Sequence, residues 1–291
     1  MQLTEIWQSQ SKPTVSFELF PARTAKAQGK LDKVIDRLAA LEPDFVSVTF
    51  GAGGSTREGS RQLVQHLRQE KGLEVLAYFA GYGLGPEDIT SVLDGYRELG
   101  VDNVLVVRGD PPEGELEPHP QSLPHASDLL SFVREHYDFC LGAAGYPEGH
   151  AEAPSLEQDL EFVKLKVECG ARFIVSQYCY DTRYFLEFAD LCRALGIQVP
   201  ILAGVMPIFS VGMMESLATL CGATITAEVR DGIAALPEGD KDALFGFGVE
   251  LATRQCRELI RAGVPGIHIY TIDRAKSAEA IVAGLRQEGL L

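Results

Sequence analysis

Leu99-Gly100-Val101-Asp102-Asn103-Val104-Leu105-Val106-Val107-Arg108-Gly109-Asp110-Pro111 reads as the end of one helix, one whole strand and the start of a polar loop. A glycine just past a helix accepts the left-handed conformation that ends it. Asn103–Val107 is then apolar on both faces, as in a parallel strand covered by helices. The same punctuation returns at Cys169-Gly170-Ala171-Arg172, Leu195-Gly196-Ile197 and Ala262-Gly263-Val264. Working outward, further strands are expected at Thr14–Leu19, Phe45–Phe50, Glu74–Phe79, Asp138–Leu141, Arg172–Gln177, Ile201–Val205 and Gly266–Tyr270. The segments between them have helical period: Leu31, Val34, Ile35, Leu38 and Leu41 share one face, as do Leu156, Leu160, Val163 and Val167.

Strands that alternate with helices make either a closed barrel or a doubly wound sheet. Strand starts recur at roughly 30 residues, the length of a βαβ unit. No G-x-G-x-x-G follows the first strand, which argues against a dinucleotide-binding sheet. The α/β class is therefore expected as a (β/α)8 TIM barrel, with extra helices between Ser210 and Ala262 before the last strand. Residues 1–291 are expected to form a single barrel domain, a size usual for that fold.

The net charge of −15 argues against nucleic acid as a partner, since polyphosphate is repelled. Cys140, Cys169, Cys179, Cys192, Cys221 and Cys256 include no C-x-x-C pair and sit mostly in apolar runs. They read as reduced, buried thiols, with no disulfide framework and no metal site. Met1 to Pro13 lacks the apolar core of a signal peptide, and no apolar run has the length of a membrane span. A cytoplasmic protein without a membrane partner is expected.

In such a barrel, chemistry gathers at the C-terminal ends of the strands. Glu18 lies within an apolar strand between Phe17 and Leu19. Burial there raises a carboxyl pKa towards the range of a general acid, while a salt bridge to Arg23 is an equally good reading. Asp110 precedes two prolines and is either functional or a turn former. Gln177 ends an apolar strand; its amide suits a heterocycle edge or a structural hydrogen bond. Gly51 to Ser55 resembles a phosphate-approaching loop only weakly, and a lone His150 in a loop is more often a surface residue.

Six motifs nevertheless occur in one order: Val15-Ser16-Phe17-Glu18-Leu19-Phe20-Pro21, Val46-Ser47-Val48-Thr49-Phe50-Gly51-Ala52, Arg108-Gly109-Asp110-Pro111-Pro112, Tyr146-Pro147-Glu148-Gly149-His150, Gln177, and Tyr270-Thr271-Ile272-Asp273-Arg274. Along essentially the whole chain this order resembles the bacterial methylenetetrahydrofolate reductases. The resemblance implies FAD at the barrel mouth, reduced by NADH or NADPH, and folate as the substrate. It implies Glu18 as general acid, and Asp110 as the carboxylate beside the flavin that supports a cationic folate. It implies Thr49, Tyr78, Ala144, Tyr146, His150, Asp159 and Lys166 around FAD, with Gln177 and Arg274 on the folate. A homo-oligomer or an electron-transfer subunit is the implied protein partner, and no regulatory domain like that of eukaryotic relatives is expected after the barrel.

The departures fall on cofactor positions. Tyr78-Phe79-Ala80-Gly81 stands where the family has His-Leu-Thr-Cys. Leu165 and Phe162 replace an arginine and a polar residue of some members. Asp273 replaces a common asparagine, Ala22 a second proline, and Arg230 lies near where some members present a phenylalanine. Two other readings follow from these changes: a folate-binding accessory paralogue with weak or lost flavin binding, and a flavin-independent barrel enzyme acting on a pterin-borne one-carbon unit.

Overall fold

The computed structural model describes residues 1–22, 24–50, 54–111 and 117–291. Eight parallel strands form a closed ring: β1 Thr14–Leu19, β2 Phe45–Val48, β3 Val75–Ala80, β4 Asn103–Val107, β5 Cys140–Gly145, β6 Phe173–Ser176, β7 Ile201–Val205 and β8 Gly266–Tyr270. Each pairs with its neighbour in sequence, and β8 returns to β1 in the register Glu18↔Tyr270. The expected TIM barrel is the observed fold. The helices among the described residues are α1 Leu3–Ser9, α2 Ala25–Ala39, α3 Gly54–Gln65, α4 Pro86–Glu98, α5 Ala126–His136, α6 Leu156–Glu168, α7 Thr182–Ala194, α8 Val211–Cys221, α9 Ala227–Ala234, α10 Lys241–Arg261 and α11 Ala275–Gln287. Three of them, α8, α9 and α10, fill the stretch where extra helices were expected.

Side chains alternate between two cores, because successive strand residues point to opposite faces. Val15, Phe17, Val46, Phe79, Val104, Leu141, Ile174, Ala203 and Ile267 pack outward against the helices. Phe45, Leu76, Leu105, Cys140, Phe173, Val175 and Leu202 fill the ring itself. Helix α1 closes the lower end. Leu3 and Ile6 join the inner core, Leu3 N–H donates to Asn103 Oδ1 at 2.8 Å, and Trp7 Nε1 donates to Thr14 Oγ1 at 3.0 Å.

Strand β5 runs to Gly145, beyond the Leu141 at which sequence propensity ends it. Gly142-Ala143-Ala144-Gly145 is a poor strand by propensity. Packing overrides it: a Cβ on Gly142 would collide with the Phe173 ring, and one on Gly145 would lie 2.7 Å from Phe188. The large rings of β6 and α7 therefore require small residues on β5. No helix among the described residues is long and apolar enough to cross a membrane.

Gly204 is a tight site that faces rigid backbone. A Cβ there would collide with the Ser176 carbonyl oxygen and lie 2.7 Å from the Tyr270 ring. Gly204→Ala is expected to destabilise by about 2–3 kcal/mol through overpacking. Gly246, mid-helix with nothing within 4 Å of its added Cβ, is the control. Gly246→Ala is expected to stabilise by about 1 kcal/mol through helix propensity. Urea unfolding of the two variants checks the opposite signs.

Candidate active site at the barrel mouth

Every second residue of β1 points into the ring, so Ser16 and Glu18 are carried inside while Phe17 packs outside. Glu18 is only 5% exposed. Burial pushes its carboxyl up to about 7; Tyr78 opposes this as a hydrogen-bond partner, and nearby Asp273 adds to it. No ion pair to Glu18 exists among the described residues, and Arg23, the alternative partner, lies outside them. The expectation that burial raises Glu18 is met.

Beneath Glu18 lies a polar column that the sequence does not announce. His268 is fully buried on the inner face of β8, and burial alone pushes its imidazole down to about 3, so it is neutral. Its Nδ1 is 2.8 Å from Ser16 Oγ and its Nε2 is 3.3 Å from Ser47 Oγ. A neutral imidazole has one donor and one acceptor, which the two hydroxyls match. The available signal was parity: Ser16, Ser47 and His268 sit on inward positions of otherwise apolar strands.

Three cavities meet at the mouth. Glu18 and Gln177 line one of about 330 Å³ with Tyr78, Tyr146, Tyr178, Cys221 and Tyr270. Asp110 and Thr49 line an adjoining one of about 320 Å³ with Arg57 and Tyr82. A third, about 410 Å³, runs outward between α5 and α6 past Tyr146, His150, Asp159 and Lys166. Val107 lines all three, Tyr78 is shared by the first two, and Ala144 and Tyr146 join the first to the third. Glu18 and Gln177 thus share a cavity, and Asp110 stands in the next one across Tyr78. Arg274 is outside all three, with its guanidinium 5.1 Å over the Phe209 ring. Gly51–Gly53 and Pro112 lie outside the described residues.

Individual groups are held firmly. The Gln177 side-chain oxygen accepts from Tyr178 N–H at 3.0 Å, leaving its amide N–H groups without a partner among the described residues. Beyond β8, Ile272 and Asp273 both take positive φ, 46° and 52°, and Arg274 N–H closes the turn on Thr271 O at 2.9 Å. Such a turn normally takes Asn-Gly, and a β-branched residue there is strained. It is pinned by Phe20 N–H donating to Asp273 Oδ1 at 3.0 Å and by Thr271 Oγ1 donating to Glu18 O at 2.6 Å. Burial pushes the Asp273 carboxyl up to about 6, and its bond from Phe20 works against this.

In the outer cleft, Lys166 Nζ donates to Ala144 O at 2.7 Å, and burial lowers its pKa while Asp159 raises it. The ammonium lies 5.9 Å from the centre of the Tyr146 ring, which meets His150 edge to face at 4.6 Å. Arg108 forks onto Glu152 through two hydrogen bonds of 2.5 and 3.1 Å. The outer wall carries two exposed apolar side chains, Phe162 at 44% and Leu165 at 42%. From the mouth outward, the cavities present a carboxyl and an amide, then an aromatic ring, then two cations, then an apolar wall. That order fits a flavin dinucleotide: heterocycle, linker, diphosphate and base.

A family model described as methylenetetrahydrofolate reductase matches residues 2–286. The 5,10-methylenetetrahydrofolate reductase of Escherichia coli is 32% identical over 275 residues, covering 94% of this chain and 90% of that protein. Methylenetetrahydrofolate reductase (NADH) 1 of Arabidopsis thaliana is 33% identical over 289 residues, and methylenetetrahydrofolate reductase 1 of Schizosaccharomyces pombe is 34% identical over 290. The chain covers 49% and 47% of those two proteins, about half their length. Among solved structures, a Clostridium thermocellum protein described as binding two copies of 5-methyl-5,6,7,8-tetrahydrofolic acid has a TM-score of 0.64 at 16% identity, covering 98% of both chains. Dihydropteroate synthase from Xanthomonas albilineans has a TM-score of 0.53 at 12% identity, covering 96% of this chain and 94% of that one. These two likenesses show the fold.

The raised carboxyl of Glu18 has a consequence for stability. A group that binds its proton more tightly when folded removes stability as pH rises from its unfolded pKa, 4.5, to its folded value of about 7. Glu18→Gln is therefore expected to stabilise the fold above pH 7 by up to about 3 kcal/mol, at about 1.4 kcal/mol for each pH unit between the two values. The gain shrinks to nothing towards pH 4.5. Thermal melting of both proteins across this range checks the sign.

Proposed function

This chain belongs to the methylenetetrahydrofolate reductase family, and from that premise we propose that it reduces 5,10-methylenetetrahydrofolate to 5-methyltetrahydrofolate with a flavin and NADH or NADPH. The observation that carries this reading is a buried carboxyl, held protonated near neutrality, in one cavity with an uncommitted amide at the barrel mouth.

Glu18 holds the proton that opens the five-membered ring of the folate, given to a ring nitrogen so that the bridging carbon becomes a 5-iminium cation. A group with pKa near the working pH suits both halves of that task. Asp110 stands across Tyr78 as a carboxylate that favours the cation electrostatically. Gln177 presents amide N–H groups to the polar edge of the pterin. Arg274, exposed beside Phe209, meets the carboxylate tail. A flavin bound in these cavities would supply hydride chemistry, with NADH or NADPH as the reductant. Thr49, Ala144, Tyr146, His150 and Asp159 would line it, with Lys166 and Arg108 facing the diphosphate as cations. Phe162 and Leu165 would then cover the base by apolar contact in place of charge.

Purified protein is expected to be yellow, or to become so on addition of FAD. Glu18→Gln is expected to keep flavin and NAD(P)H oxidation by an artificial acceptor while losing folate reduction about 10²–10⁴-fold. Undiminished folate turnover in that variant removes Glu18 from the mechanism, and a protein that binds folate but never flavin supports the accessory paralogue instead. In a second experiment, flavin fluorescence titration of Phe162→Ala and Leu165→Ala is expected to show weaker FAD binding with FMN binding unchanged. Equal losses for the two flavins separate these residues from the base.

A further inference from the structure

The motif Tyr146-Pro147-Glu148-Gly149-His150 gives its two rings to the cavities at the mouth, while Glu148 lines none of the three. Gly149 N–H donates to Tyr146 O at 3.0 Å, closing a tight turn with proline second and glycine fourth. A type I turn favours both residues in those places, and Gly149 takes φ 85°. The ends of the turn are fixed as well. Tyr146 meets His150 edge to face, and His150 N–H donates to Asp159 Oδ2 at 3.2 Å. Glu148, third in the turn, therefore stands on a stiff base. Its two carboxylate oxygens both accept from the backbone N–H of Thr224, at 3.1 and 3.0 Å. An N–H shared between two oxygens of an anion is a charge-assisted bond.

Thr224 lies 76 residues further on, in the short connector between α8 and α9. Gly222, at φ 72°, ends α8, and Ala223 N–H donates back to Ala218 O at 3.0 Å. The connector is thus fixed to the last turn of α8, so what holds Thr224 holds that turn. Leu217, Leu220 and Cys221, at this end of the helix, line the Glu18 cavity and neither of the other two. Apolar packing alone holds α8 loosely. Of its 11 residues only Met214 and Ala218 are buried, and Leu220 is 74% exposed. Its hydroxyls bond locally: the Ser210 cap accepts from Met213 N–H, Ser216 donates to Gly212 O, and Thr219 donates to Glu215 O. Those bonds shape the helix without fixing it on the barrel.

We propose that Glu148 is a positioning residue for the folate: by clamping the connector after α8, it sets the wall of the Glu18 cavity against which the substrate lies. The inference rests on the reading of that cavity as the folate subsite. It divides one turn between two ligands. Tyr146 and His150 face the outer cleft, and Glu148 acts on the inner cavity through a helix to which it does not belong. Removing the side chain releases Thr224 N–H to water and frees the last turn of α8 to shift outward. The cavity then loosens although no group that lines it has changed. A neutral amide keeps one oxygen acceptor and loses the charge and the second oxygen, so it restores part of the clamp.

The test joins amide hydrogen exchange at Thr224, read by nuclear magnetic resonance on the whole flavin-loaded chain, to steady-state kinetics. Glu148→Ala is expected to speed Thr224 exchange about tenfold, the worth of one hydrogen bond to a charged group at its lower bound. The KM for 5,10-methylenetetrahydrofolate is expected to rise about three- to tenfold with kcat nearly unchanged, as for a loss of binding shared by ground and transition states. FAD affinity, read by fluorescence, is expected to stay the same, and Glu148→Gln falls between Glu148→Ala and the parent in both exchange and KM. Unchanged Thr224 exchange in Glu148→Ala overturns the clamp. Faster exchange with an unchanged KM also overturns the proposal, because Glu148 then has no hold over the cavity. A loss of FAD affinity as large as the rise in KM returns the whole turn to the flavin and overturns it too. Where Glu148→Ala does not fold, Glu148→Gln decides by the same readings. Should the parent protein turn over no folate, the reductase reading fails and takes the folate role of Glu148 with it; Thr224 exchange separates that failure from a missing clamp.

Discussion

A closed ring of strands fixes, by parity alone, which side chains enter its interior, and that interior excludes water. Everything notable at the mouth follows from placing hydrogen-bonding groups in that dry volume. One sector, from β8 through β1 and β2 to β3, carries Ser16, Glu18, Ser47, Tyr78 and His268 inward. The opposite sector carries Leu105, Phe173, Val175 and Leu202. Polar groups in such a place must satisfy one another, because an unpaired one loses the full value of its hydration. The imidazole answers by remaining neutral between two hydroxyls, and the carboxyl by retaining its proton. The unusual acidity at this mouth is thus a product of burial, with neighbouring charges only trimming it.

The second organising feature is the junction at Val107. Three hollows with different linings open onto one another there. Their chemistry is graded: proton-holding groups in the centre, an aromatic shoulder at Tyr146, and cations further out. Both cations are already engaged by groups of the chain, Lys166 with Ala144 O and Arg108 with Glu152. An anion entering this cleft shares each cation with its present partner. Apolar contact at Phe162 and Leu165 therefore carries a larger share of any binding there than charge does.

Most of the architecture was legible from short-range pattern. Strands β1, β4, β7 and β8 fall where their two-sided apolar runs place them, and the three extra helices fill the expected interval. Strand β5 extends past its legible part because glycine and alanine carry no strand propensity; the rings that demand small residues there, Phe173 and Phe188, lie far along the chain. At the site, Glu18 stood out as a charge in an apolar strand. His268 did not, since one histidine in an apolar run looks the same whether it faces a helix or the barrel axis until the parity of the strand is known. Tyr78 was legible only as a replacement for something else. It lines one cavity with Glu18 of β1, and no local pattern in β3 records that neighbour. Arg274 was drawn to the site by the motif it ends, and the strained turn before it directs its guanidinium onto Phe209.

The short helix α1 makes the ring a vessel with a floor. Leu3 and Ile6 seal the lower end, and the backbone N–H of Leu3 is tied to Asn103. Among the described residues, a molecule that reaches the level of Glu18 therefore comes from the opposite, open side, and two reagents too bulky to fit there together must take turns.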